Sequence, residues 1–107
     1  MHENLLYRHR LGEKLELILN VCECFPIKRL FLFGSILRDD FNENSDVDVQ
    51  VEFENFSIEE YFDIYYDLKT NLETILHRKI DLVDIDEVKN IRLKKYLLEQ
   101  QIEIYAS

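Results

Sequence analysis

The sequence predicts an α+β fold, a small mixed β-sheet with helices packed over one face. Three observations predict it. Apolar residues recur at three- and four-residue spacings in three segments, as on the buried stripe of a helix. Between those segments lie short runs that are apolar throughout or alternate with polar residues, as strands do. The 107 residues hold only two Gly and one Pro, which favours long regular elements and few loose loops. The length predicts one domain over residues 1–107, large enough for one real core.

Residues 3–24 read as helical, with Leu11, Leu15, Ile18, Leu19 and Cys22 on one stripe. Gly12 weakens the pattern, so the first turns are expected to stand apart, and Pro26 ends it. Arg8-His9-Arg10 reads as a solvated basic turn ahead of an anion site. Lys28–Phe33 is a strand apolar on both faces, hence central. It delivers Gly34-Ser35 and a short helical turn at Ile36-Leu37-Arg38. Asp46–Phe53 is the second strand. Its Val47, Val49, Val51 and Phe53 should be buried, with Asp46, Asp48 and Gln50 turned the other way. Ser57-Ile58-Glu59-Glu60 matches a capping box opening a helix to about His77. Its apolar stripe is Ile58, Tyr61, Phe62, Tyr65, Leu68, Leu72, Ile75 and Leu76. Arg78–Asp84 is the third strand, with Asp84 at its end and Asp86 capping the next helix. Residues 86–101 form that last helix, buried through Val88, Ile91, Leu97 and Leu98 and basic through Arg92, Lys94 and Lys95. Ile102–Tyr105 alternates as a short edge strand.

The candidate site is the stretch from Gly34 to Asp48. Two carboxylates on one strand face repel each other unless a cation lies between them. Mg²⁺ takes oxygen ligands, commonly one or two carboxylates plus phosphate oxygens. A glycine after an apolar strand lets the backbone turn and a ligand come close. The free N–H groups of the helical turn after it, with the Ser35 hydroxyl, suit an anion. Gly-Ser, ten residues, then Asp-x-Asp, with an apolar strand on each side, therefore reads as a place for a metal-bound phosphate. Arg38 suits a phosphate or a neighbouring Asp equally. If the third strand lies beside the second, Asp81 stands next to Asp46 and Asp48.

A net charge of −9 counts against nucleic acid as a substrate, since affinity for it rests on cation–phosphate contacts. Cys22 and Cys24 are too close in sequence to bridge easily and make no disulfide framework. The first residues, with His2, Glu3, Arg8 and Arg10, contain no signal-peptide apolar run, and no stretch is long enough to span a bilayer. The expected location is the cytoplasm. No Ser, Cys or His arrangement suggests a covalent intermediate.

Gly34-Ser35, Arg38, Ser45-Asp46-x-Asp48 and the following Val-x-Val resemble the signature of nucleotidyltransferases related to DNA polymerase beta. The length is similar to that of the minimal nucleotidyltransferase (MNT, MntA-like) branch. The likeness spans about Lys28 to Val83, and Leu37 departs from it, since the family commonly has Ala there. The resemblance implies a polymerase beta-like fold and transfer of AMP from ATP. Asp46, Asp48 and Asp81 would be the catalytic carboxylates holding two Mg²⁺ ions, and Gly34, Ser35, Arg38 and Ser45 the nucleotide-binding residues. It implies a protein acceptor, a tyrosine or other hydroxyl on a HEPN-type toxin, to which this chain would be the antitoxin. Two alternatives stand beside it. One is an antitoxin that neutralises by binding alone. The other is transfer to a small-molecule hydroxyl such as an antibiotic, which related enzymes achieve with an added helical domain.

Overall fold

The computed structural model describes residues 6–107, so the expected helix start at residue 3, like His2 and Glu3, lies outside the described residues. The expected first helix is two: α1 (Leu6–Leu11) and α2 (Lys14–Cys24). Between them Gly12 takes φ +53°, a left-handed backbone open to glycine at little cost, so the chain turns there. β1 (Ile27–Phe33) leads into a 3-10 turn at Gly34–Leu37. After it come β2 (Val47–Phe53), α3 (Ile58–Leu76), β3 (Ile80–Asp84), a second 3-10 turn at Ile85–Glu87, α4 (Ile91–Gln100) and β4 (Ile102–Ala106).

The four strands form one sheet in the order β3-β2-β1-β4. β1 runs antiparallel to both β2 and β4, and β2 runs parallel to β3. The parallel pair needs a crossover, which the 19-residue α3 supplies. The sheet is thus mixed and the fold α+β, as the sequence implied.

Val47, Val49 and Val51 are buried, and the β1–β2 register sets Val49 opposite Leu32 and Val51 opposite Leu30. With Ile18 and Cys22 of α2 and Leu68, Leu72 and Leu76 of α3 they form the main core under one sheet face. Burial pushes the Cys22 thiol up to about 12, so it stays a protonated, apolar filler. Phe53, expected inside, is half-buried at the end of β2 and packs edge-on against Phe56 and Tyr61.

Three sequence expectations change. Ser57 is the N-cap of α3, yet its side chain makes no capping bond; Glu60 N–H donates to its backbone carbonyl instead. The α3 stripe is buried only in its second half: Ile58 is 80% and Phe62 66% exposed, while Tyr61 and Tyr65 donate their hydroxyls to Asp84 and to the Leu82 carbonyl of β3. The last helix starts later than expected. Asp84, not Asp86, caps the turn after β3, accepting Asp86 N–H, and Asn90 caps α4 by accepting Leu93 N–H. Of its expected apolar side, Leu97 is buried while Ile91 and Leu98 face outward.

The second sheet face carries its own small buried set. Gln50 lies opposite Phe31 there, and both are buried outside the main core, as is Leu97. The Gln50 amide is fully buried, and neither its Oε1 nor its Nε2 has a partner. Burying such a group unpaired costs about 1–3 kcal/mol. Gln50→Met, similar in size and free of polar hydrogens, is expected to raise the unfolding free energy by about 1–2 kcal/mol. Urea denaturation at fixed pH measures it, and an unchanged or lowered midpoint would refute it.

Candidate active site

The site stands where β1 ends beside the start of β2. β1 delivers Gly34, whose φ is +78°. A side chain there would overlap the Asp48 carboxylate, its Cβ falling 2.9 Å from Asp48 Cγ. Glycine is thus required twice, by backbone conformation and by the closeness of Asp48. Phe33 pairs with Asp48 across the two strands.

On the other side of β2, parallel pairing sets Asp48 directly opposite Asp81. Side chains in register share a face, and neighbouring strands lie roughly 4.8 Å apart. The expectation that Asp81 stands next to Asp48 is met in the backbone. Asp46 lies just before β2 and is exposed. The Asp48 carboxyl is pushed above the usual carboxylate range, first by burial and then by the negative charges of Asp81 and Asp46. Arg38 and a backbone hydrogen bond from Ser35 oppose that shift. Among the described residues, no three His, Cys, Asp or Glu side chains are gathered into a ready-made metal cage.

Arg38 is exposed and ion-paired to Asp40 at 3.2 Å, which makes Asp40 its partner in the loop. Such a surface pair is weak and easily exchanged. Of the expected site residues, Gly34, Arg38 and Asp48 line one cleft, whereas Ser35, Ser45, Asp46 and Asp81 are not part of its wall. Ser45 Oγ accepts Asn42 N–H at 2.9 Å, and Asn44 N–H donates to Asn42 Oδ1, so this loop is folded on itself.

Two arginines that composition and spacing did not single out as site residues hold these segments. Arg10 of α1 donates to the carbonyls of Ser35, Ile36 and Arg38, at 3.2, 2.8 and 2.6 Å. It is therefore neither a solvated turn nor an anion site. Arg78, between α3 and β3, donates to the carbonyls of Asn42 and Ser45, both at 2.8 Å. The two guanidinium groups meet at Phe41, 5.0 and 4.4 Å from its ring centroid. The only signal in the sequence is indirect: residues 38–46 have too little regular structure to satisfy their own carbonyls.

Residues 13–107 match the family described as polymerase beta, nucleotidyltransferase. The chain belongs to that nucleotidyltransferase family. It is 34% identical over 80 residues to a Methanocaldococcus jannaschii protein named "Putative protein adenylyltransferase MJ1379", covering 75% of this chain and 79% of that one. A solved "putative minimal nucleotidyltransferase" is 29% identical with a TM-score of 0.74, covering 94% of this chain and 96% of that one. A third likeness is to a structure of a tri-AMPylated Shewanella oneidensis HEPN toxin in complex with its MNT antitoxin. It has a TM-score of 0.55 over 98% of this chain and 74% of that one, and at 18% identity it speaks to fold alone.

The candidate site yields two expected outcomes. The folded pKa of Asp48 lies above the unfolded one, so ionised Asp48 costs stability at neutral pH, and the cost fades as pH falls through the raised folded pKa and is gone below the unfolded value near 4. Asp48→Asn should therefore raise the melting temperature at about pH 7.5 without divalent cations, and the gain should vanish toward pH 4. Thermal scans across that range read it; a variant that melts earlier at neutral pH contradicts it. Arg10→Met removes three charge-assisted bonds and should destabilise the fold by about 1–3 kcal/mol. Amide exchange should rise first at Ile36–Arg38, and uniform acceleration across the chain would show that Arg10 does not act on this turn.

Proposed function

We propose that this chain transfers AMP from ATP to a hydroxyl, that of a tyrosine, on a partner HEPN-type toxin, and so acts as its antitoxin in the cytoplasm. The observation that carries this reading is Asp48 standing in register with Asp81 beside a glycine that no side chain could replace. Residues 1–107 form the catalytic domain, and the acceptor brings its own complementary surface.

The donor set fits Mg²⁺. A carboxylate raised by its acidic neighbours is relieved by a cation, and two carboxylates completed by phosphate oxygens are the usual protein share of a Mg²⁺ site. Asp46 and Asp48 would hold two ions and Asp81 the one nearer the acceptor. Bound there, Mg²⁺ supplies a lowered pKa for the attacking hydroxyl and neutralises charge on the leaving pyrophosphate. Gly34 leaves room for the outer phosphates against bare backbone. The Ser35 N–H, from which Asp48 now accepts, would be the donor available to a phosphate oxygen. Arg38 exchanges Asp40 for phosphate. Ser45 holds the loop that presents Asp46. The acceptor oxygen bonds to the α-phosphorus, and the bond from that phosphorus to the β-bridging oxygen breaks. Pyrophosphate leaves with the electron pair, and the hydroxyl proton passes to Asp81.

The test is α-labelled ATP with Mg²⁺ and a HEPN-type protein offered as the acceptor. Label should appear on the partner. Asp48→Asn should lower the rate by more than the roughly 10–100-fold that loss of an outer-shell partner costs. Chelation of Mg²⁺ should stop transfer. A partner fully neutralised by Asp48→Asn, with no label on it, would mean that binding alone does the work.

A further inference from the structure

We infer that two copies of this chain pair through their helices, the acid-flanked apolar stripe of α3 in one copy seated against the lysine-bearing face of α4 in the other. The helix that asks for a cover is α4. Of its ten residues only Leu97 is buried. Ile91 is 84% exposed, and Leu93, Tyr96 and Leu98 are about half exposed. A helix this short is marginal in water unless an apolar face is packed. Tyr96 lines the catalytic cleft. Ile91, Lys94, Lys95 and Leu98, at i, i+3, i+4 and i+7, share another face and wall a separate hollow of about 580 Å³.

The chain carries a matching surface of opposite sign. Ile58, Phe62 and Tyr66 of α3 are exposed at four-residue spacings. At 1.5 Å per residue that stripe is about 12 Å long, and the α4 face is about 10 Å long. Residues 58–67 carry Glu59, Glu60, Asp63 and Asp67 and no base, whereas residues 89–95 carry Lys89, Arg92, Lys94 and Lys95 and no acid. Phe62 and Tyr66 also wall a hollow with Asp84 and Glu87 that no cation lines, so a lysine of the second copy meets carboxylates and ring faces together. The two surfaces adjoin: Asp86 borders both the α4 hollow and the hollow beside Ile58. A two-fold axis near that turn sets each surface on its complement in the other copy, so assembly stops at two. The net charge of −9 opposes any contact between copies that lacks such pairing.

Sedimentation equilibrium of the full chain, with neither nucleotide nor acceptor, tests this independently of the transfer reading. Wild-type protein should be dimeric at about 100 μM, and Phe62→Ala should weaken the dimer about 10-fold. Lys89→Glu with Lys95→Glu, and separately Asp63→Lys with Asp67→Lys, should each give a monomer. An equimolar mixture of those two variants should dimerise again, because both contacts are then complementary. The aspartate variant separates local from overall charge. It is less acidic than wild type, so repulsion alone would let it associate more tightly. All five residues are exposed, so far-UV circular dichroism of each variant should match wild type. A wild-type chain that stays monomeric up to about 1 mM overturns the pairing. So does a dimer that survives both charge reversals, an aspartate variant that associates more tightly, or a mixture that stays monomeric.

Discussion

Like charges held side by side are unfavourable, and the parallel register of β2 and β3 holds Asp48 opposite Asp81. Neither strand can relax away. Val47, Val49 and Val51 alternate with Asp48 and are fastened into the core beneath, so a one-residue slip would bury carboxylates and expose valines. The favourable burial on one sheet face thus sustains an unfavourable arrangement on the other. Gly34 completes it by leaving Asp48 no side chain to press against.

The segment between Gly34 and Asp46 carries little regular structure, yet it must keep the turn and the aspartates in one relation. Its order comes from elsewhere in the chain. Arg10 reaches from α1 to the carbonyls of the turn, Arg78 reaches from the α3–β3 junction to the carbonyls of the loop, and both guanidinium groups rest on Phe41. A guanidinium presents several donors in a rigid plane, which suits it to gather carbonyls that have no strand or helix to pair with. The first helix is thereby part of the site's support.

The second sheet face is divided in use. Toward the middle it is closed around Phe31 and Gln50, and α4 adds the buried Leu97. Toward the ends of β1 and β4 it opens into the cleft shared by Asp48 and the last turn of α4. The basic residues of α4 lie on its outward side, where Lys94 and Lys95 border a separate surface hollow with Ile91. The acidic balance of the chain and its carboxylate-lined site both suit a substrate that arrives with its charge already met by a cation.

Local chemistry determined much of this protein in advance. Alternation along Val47–Phe53, the glycine after an apolar strand and the spacing to Asp46 and Asp48 are properties of a few adjacent residues, so the strands, the turn and two of the three acidic positions were legible in order. Asp81 was legible only on the condition that its strand lay beside β2, and the crossover helix met that condition. What the tertiary structure alone decided depends on groups far apart in sequence. Gly34 is confined by Asp48, Arg10 by carbonyls more than 20 residues away, and the start of α4 by the Asn90 cap. Ser57 was a correct boundary with the wrong bond, because a backbone donor had a backbone acceptor within reach. Spacing along a chain encodes periodicity and local turns. It does not encode which distant carbonyl is left without a partner, and it was those groups that recruited Arg10 and Arg78.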